Sequence, residues 1–479
     1  MRQRISLVIL IFMIALLAMS PILLAKGMFM DGLIYSCVAL NLKNGVGDFW
    51  HLQFTQTLYA QFHEHPPLAM WMQSLFMDIF GTDYWVDRVF SVLCIFTQGL
   101  LILKIAESVF QRSIYLAYWP LLFFLFTPLT LWMMPNNLLE NTMGIFTLTA
   151  TLTALLAHQK RKMSLAILSG LMISLAVYTK GPVGLFPFSF FVWLYFIQEN
   201  RRHFSFYFGC FSMQLLGFLS GFFVPFLFSS EAQSSWKAYW DRQVINSIEN
   251  VSTVPHRLYI LQQTFLHILP MIALLFLIYL ILKRKKKISL SHEKSKVFFW
   301  LIYGLSGIAP MMISMKQREF YLLPALPFVI LSICILAQPV LLHMDNWVVK
   351  FSPKKIGLFS LIVLIASFFI SYSQKGKMHR NIALQKDIEQ MSSHIEPNQK
   401  VGIAPCLRED WSLYGYCYRH YYWSLETLSD HTFFISKKVR CSFPEAKFRA
   451  IEIPTQDFVL YTKISEDVSN LTPSLEHSQ

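Results

Sequence analysis

Apolar runs of about twenty residues recur along most of the chain, each long enough to cross the hydrocarbon core of a bilayer as a helix. They predict about eleven spans, near residues 5–25, 87–107, 114–133, 139–158, 163–179, 182–198, 204–228, 258–282, 297–314, 320–338 and 356–373. Short basic clusters punctuate the runs: Arg2/Arg4, Lys160-Arg161-Lys162, Arg201-Arg202, Lys283 to Lys287, and Lys354-Lys355. With the N-terminus in the cytoplasm, the alternation places every cluster on the cytoplasmic side, as the positive-inside rule requires. The opposite face then receives the long first loop 26–86, the Pro135–Leu138 turn, the loop around Lys180, segment 229–257, the Lys316–Glu319 turn and the tail from about residue 374. That tail mixes charges and aromatics and alternates in Phe458-Val459-Leu460-Tyr461, which predicts a small α/β domain. The expected architecture is an all-α polytopic membrane domain over 1–373 followed by a C-terminal domain over 374–479.

The first run follows Arg2 and Arg4 as in a signal peptide, and Ala18-Met19-Ser20 offers a small-x-small site. Pro21 comes directly after it and disfavours cleavage, so the run is read as a retained anchor.

Composition sharpens this picture. The 479 residues are 54% hydrophobic and 14% charged, against about a quarter charged in a typical soluble domain. A net charge of +13 would suit nucleic acid, but its confinement to loops between spans assigns it to topology, and no nucleic-acid partner is expected. Of seven cysteines, Cys37, Cys94, Cys210 and Cys334 are scattered in apolar runs without metal-ligand spacing. Cys406, Cys417 and Cys441 share the tail, where one disulfide can form if the tail lies outside the cytoplasm.

The chain carries neither GxGxxG after a strand nor GxxxxGK[ST], so no soluble-nucleotide site is visible. A transferase built this way needs another activated donor, and a lipid-linked phosphosugar in the bilayer meets that need. The polar residues of the external face suit such chemistry. Asp31-Gly32 follows the first span, and His63-Glu64-His65-Pro66-Pro67-Leu68 lies about thirty residues on, with two prolines that fix the chain direction. A carboxylate there can take a proton from an acceptor hydroxyl, while imidazole, cations or a divalent metal ion stabilise a departing phosphate. Taken alone, Asp31 reads better as a cap for the following helix. Glu140 opens an apolar run, where an ionisable group is either functional or placed for the helix dipole. Lys180-Gly181-Pro182 and Lys316-Gln317-Arg318-Glu319-Phe320-Tyr321 supply cations and a hydroxyl suited to a phosphate. Lipid headgroups would attract the same cations.

Asp31-Gly32-x-x-Tyr35, Glu64 to Leu68, Leu139-Glu140, Lys180-Gly181-Pro182 and Lys316 to Pro324 stand in an order and spacing that resemble the bacterial protein mannosyltransferases and lipid A aminoarabinose transferases of the GT-C superfamily. The resemblance covers roughly residues 1–340 and includes Gln73-Ser74-Leu75-Phe76 and Phe80-Gly81. It implies a multi-pass protein of the bacterial inner membrane that transfers a sugar, with inversion, from a polyprenyl-phosphate donor to a lipid, glycan or protein acceptor in the periplasm. It assigns catalysis to Asp31 and Glu140. The donor phosphate falls to Glu64, His65, Lys180, Lys316, Arg318 and Tyr321, and a metal, where one is held, to Glu64 with His63. His65 stands where the family has a lysine, and the loop Tyr239–His256 has Asn246 near the place of a family histidine. A lipid-linked glycan flippase or a ligase using a diphosphate-linked donor are the alternatives. A flippase needs polar groups through the middle of several spans, whereas here they gather at one face.

Overall fold

The computed structural model describes residues 2–111, 114–197, 204–246, 251–285, 290–348, 350–427, 430–439, 441 and 445–464. Arg201, Arg202, Lys286 and Lys287 of the predicted basic clusters lie outside these residues. Chain contacts divide the protein into two units, one of residues 1–52 and 61–377 and one of residues 53–60 and 378–479.

The first unit is helical. Among the described residues, seven of its helices are long and apolar enough to cross a membrane, and eight if the bent pair Leu326–Leu336 and Gln338–Asn346 counts as one span. The protein is a multi-pass membrane protein. The difference from the predicted eleven lies in how apolar segments break. The run 114–133 forms the short helices Tyr118–Leu125 and Pro128–Met133, because Pro128 lacks the amide to continue the first. The run 320–338 bends by 76° against its successor. Two predicted spans merge into one apolar stretch, Ser164–Ile197, of 34 residues, which as a straight helix would be about 50 Å long. Gly181 breaks it: its φ of +79° is left-handed backbone, and the 3₁₀ segment Gly181–Phe188 packs back on the helix Ser164–Lys180. The helix Leu139–Lys160 has the length of a span but is rich in threonine and lined with buried polar residues. The N-terminal helix Arg2–Leu23 packs along Pro353–Ser373.

The second unit is a five-stranded sheet with helices, as its alternating pattern predicted. The strands are β1 (Lys400–Ile403), β2 (Ser424–Thr427), β3 (Phe433–Lys437), β4 (Phe448–Ile451) and β5 (Phe458–Lys463), in the order β2-β1-β3-β5-β4. β1 runs parallel to β2 and β3, joined to β2 through the helix Trp411–Tyr421, while β5 is antiparallel to β3 and β4. Trp423, Tyr416 and Phe434 are among its largest fully buried side chains. A disulfide joins Cys406 to Cys441 and leaves Cys417 buried and free.

Asp387 is fully buried on the helix Ile382–Met391 and accepts hydrogen bonds from the backbone amides of Gln456, Asp457 and Phe458 at 2.7–3.1 Å. These bonds hold the entry to β5. Replacing Asp387 by alanine strands three amides, that of Phe458 in a buried residue, and should cost this unit roughly 1–3 kcal/mol. Thermal unfolding followed by tryptophan fluorescence would register it as a lowered midpoint.

Candidate active site

A cavity of about 590 Å³ opens within the first unit. Its polar lining includes His65, Glu140, Lys180, Tyr239, Lys316 and Tyr321. Its apolar lining includes Met143, Val183, Leu185, Phe186, Phe188, Met311 and Ile313. The sequence motifs after spans one, three, five and nine thus meet at one place, although His65 and Tyr321 are 256 residues apart in the chain.

Lys180 ends the helix Ser164–Lys180 and is ion-paired to Glu140. The Glu140 side chain is 0% exposed and that of Lys180 9%. Glu140 therefore does more than face a helix dipole. Its Oε1 holds the lysine, and its Oε2 is buried with no hydrogen-bond partner. The Lys180 ammonium also lies 4.5 Å from the ring centre of Tyr321 and 5.3 Å from that of Phe320, distances at which the ring face attracts a cation. Gly181 is required twice over. Besides its positive φ, an added Cβ would come 2.0 Å from the hydroxyl of Tyr239. Gly181→Ala should displace Tyr239 and narrow the cavity, reducing any activity of the site more than it reduces thermal stability.

Asp31 lies in the first turn of the helix Met30–Lys43 and makes no capping bond, so the capping role that its position allowed is not taken up. Its pKa is pushed up by burial and drawn back by Lys180, Arg318 and Lys316. The helix start is fixed from the Pro135–Leu138 turn. Asn136 accepts from the Phe29 amide at 3.0 Å, and a Cβ on Gly32 would meet the Asn136 carbonyl at 1.8 Å. Asn137, itself at φ +50°, donates to Gly32, Ser36 and Gln73, and Gln73 donates to buried Asp87 at 3.0 Å. This buried network ties three motifs together.

His65 enters the cavity edge-on to Tyr35, with ring centres 5.4 Å apart, and its Nδ1 is buried without a hydrogen-bond partner. Burial and the nearby Lys180 and Lys316 hold its pKa well below the usual value, so His65 is neutral at pH 7. Lys316 donates to Gln243 at 3.3 Å. Burial lowers its pKa, with Glu64 opposing that effect and Lys180 adding to it. Gln317 is the staple of this turn. Its side chain donates to the Arg257 and Ser314 carbonyls and accepts from the Ile260 amide, all at 2.9–3.0 Å.

Not every predicted residue is part of the cavity wall. Asp31 lies outside the lining, close enough to feel the charges of Lys180, Arg318 and Lys316. Arg318 is exposed beside it, and Glu64 lines an open neighbouring cleft with Asp241, Arg242 and Asn246. Burial raises the Glu64 pKa, against Lys316 and Arg242. His63 is buried, and burial lowers its pKa with help from Arg242 and His51. The metal pair expected from sequence, Glu64 with His63, is not part of a three-ligand group. Among the described residues, Asp48, His51 and Glu231 make such a group, their ligand atoms within 4.8 Å of one another. Carboxylate oxygens with one imidazole suit a divalent ion. Sequence reasoning missed Tyr239, Gln243 and Arg242, which come from a segment read as a loop without a motif but folded as the helix Ser230–Tyr239 and the π-helical turn Trp240–Ile245.

The helical bundle with its cavity and the small sheet unit have the fold seen in solved GT-C proteins. Residues 64–226 match the family model for dolichyl-phosphate-mannose-protein mannosyltransferase, a stretch that includes Glu64, His65, Glu140 and Lys180. The structure of ArnT from Cupriavidus metallidurans in the apo state superposes with a TM-score of 0.66 at 11% identity, covering 96% of this chain and 97% of ArnT. The same protein bound to undecaprenyl phosphate gives 0.65 at 11% identity over 97% and 98% of the two chains. The oligosaccharyltransferase AglB from Archaeoglobus fulgidus, in complex with an inhibitory peptide and a dolichol-phosphate, gives 0.52 at 13% identity over 90% of this chain and 69% of that one. No curated protein sequence matches.

Proposed function

We propose that the protein is a glycosyltransferase of the bacterial inner membrane that moves a sugar from a polyprenyl-phosphate donor to a periplasmic acceptor, a lipid A, glycan or protein hydroxyl, with inversion. The observation that carries this reading is a cavity whose lining combines Lys180, Lys316 and His65, suited to a phosphate, with many apolar side chains, suited to a prenyl chain. Undecaprenyl phosphate and dolichol-phosphate in the similar structures agree with it.

The step is a direct displacement. The acceptor oxygen attacks the anomeric carbon while the bond from that carbon to the phosphate oxygen breaks. The acceptor proton passes to the Asp31 carboxylate. The polyprenyl phosphate leaves with one more negative charge than it had in the donor, and Lys180, Lys316 and Arg318 offset that charge. Tyr321 flanks Lys180, and Glu140 Oε2 has the free acceptor capacity to orient the attacking hydroxyl. Glu64 and His65 position the phosphate, with Glu64 acting from the adjoining cleft. Asp48, His51 and Glu231 are the residues that could hold a divalent ion.

The test is purified protein in lipid, offered a panel of radiolabelled polyprenyl-phosphate sugars with an envelope acceptor fraction. Label reaching the acceptor from a monophosphate donor is the expected result. Transfer or flipping of only a diphosphate-linked glycan would overturn it.

A further inference from the structure

Within the first unit, Asn137 sits in the turn between the helices Pro128–Met133 and Leu139–Lys160. It is buried, and its φ of +50° is left-handed backbone, which asparagine adopts more readily than most residues. Its backbone amide donates to Ser91 Oγ at 3.1 Å. That hydroxyl also accepts from Asn141 Nδ2 at 2.8 Å and donates to the Met134 carbonyl at 2.7 Å. Ser91 thereby joins the turn to the helix that carries Glu140.

The Asn137 carboxamide reaches a different helix. Its Nδ2 lies 3.2 Å from the Gly32 carbonyl, 3.0 Å from Ser36 Oγ and 3.0 Å from Gln73 Oε1. Gly32 directly follows Asp31, so the first of these bonds grips the chain beside the proposed base. Ser36 donates to the same Gly32 carbonyl at 2.8 Å. Asp87 sets the direction of the whole array. A carboxylate only accepts, so it takes Gln73 Nε2 at 3.0 Å and leaves Gln73 Oε1 facing Asn137. Asn137 must then present its nitrogen. Ser36, Gln73, Asp87 and Asn137 are all buried, so a bond lost here has no ready replacement from solvent.

We propose that Asn137 is a positioning residue that fixes Asp31 relative to Glu140 by clamping the starts of their two helices together. It lies outside the cavity lining and supplies no reacting group. The proposal rests on the transferase reading for its kinetic consequence. On that reading Asp31 takes the acceptor proton and Glu140 orients the acceptor hydroxyl, so their spacing governs the displacement step more than it governs donor binding. A misplacement of about 1 Å can cost on the order of 10²-fold in rate.

The test uses the full chain in lipid with Asn137→Gly, Gln73→Met and the two together, assayed well below each unfolding midpoint. Glycine accepts the left-handed backbone and removes only the carboxamide. Asn137→Gly should transfer sugar roughly tenfold slower or worse at saturating donor, with donor KM unchanged. The double variant should be no slower than Asn137→Gly, because both side chains act through one set of bonds. Amide hydrogen exchange over residues 33–40 should rise in Asn137→Gly. Wild-type turnover, a loss that falls on donor KM, losses that multiply in the double variant, or unchanged exchange would each overturn the assignment. If Asn137→Gly does not fold, Ser36→Ala removes one acceptor from the same bonds and should slow turnover without changing donor KM; wild-type turnover there would overturn it as well. If wild type itself transfers no sugar, the transferase reading fails, and exchange over residues 33–40 still decides whether Asn137 holds the Asp31 helix.

Discussion

Asp31→Asn should reduce sugar transfer by about 10²–10⁴-fold, the range associated with loss of a general base. The asparagine keeps the shape of the side chain and removes only its capacity to take the acceptor proton. The pH dependence separates this role from folding. Burial raises the Asp31 pKa above its ordinary value even against Lys180, Arg318 and Lys316. The base works only when ionised, so wild-type activity should climb with pH through that raised pKa, on a limb displaced upward from that of an ordinary aspartate. The variant should lack the limb. The stability effect has the opposite sign. A folded pKa above the unfolded one means that protonated Asp31 is favoured by folding, and this contribution is lost as pH rises from the unfolded value through the folded one. At neutral pH Asp31→Asn should therefore be at least as stable as wild type. A variant that loses transfer together with its unfolding midpoint would point to a structural role instead.

The second large effect concerns Lys180. Its partner Glu140 is wholly buried, so Lys180→Met leaves a carboxylate without its counter-charge and should cost about 3–5 kcal/mol. Transfer should also fall by about 10²–10³-fold, because one of the charges facing the departing phosphate is gone. Glu140→Gln with Lys180→Met removes both charges and should restore much of the stability while leaving transfer low. A thermal midpoint and a transfer rate on the three proteins resolve the two roles. Equal stability in the single and double variants would mean that the pair is not coupled as its geometry indicates.

The candidate site was legible where its chemistry coincides with the ends of apolar runs. Glu140, Lys180, Lys316 and Tyr321 each stand at such a boundary, and the boundaries of a bundle come together at its ends. What the sequence did not disclose arrives from segments without periodicity. Tyr239 and Gln243 enter from a segment expected to be a loop, which instead forms the helix Ser230–Tyr239 continued by a π-helical turn, Trp240–Ile245. Gln317 looks like one more polar residue in a turn, and only its three partners reveal that it fixes the Lys316 backbone. The small sheet was readable from alternation at Phe458–Tyr461. The membership of residues 53–60 in the second unit was not, since their side chains do not mark their distant partners. The number of spans depended on breaks that hydropathy alone does not locate, as Gly181 and Pro128 illustrate.

The Lys180–Glu140 pair has a consequence for selectivity. An empty cavity already carries its own counter-ion, so a phosphate does not simply add to a free cation but enters by exchange with a carboxylate. An inorganic anion brings no hydrocarbon to the apolar lining and gains only the exchange, which is close to neutral. A prenyl phosphate gains the exchange together with the burial of its chain. On the proposed transferase reading, the site would require both halves of a prenyl phosphate at once, and ordinary cellular phosphate should compete poorly for it.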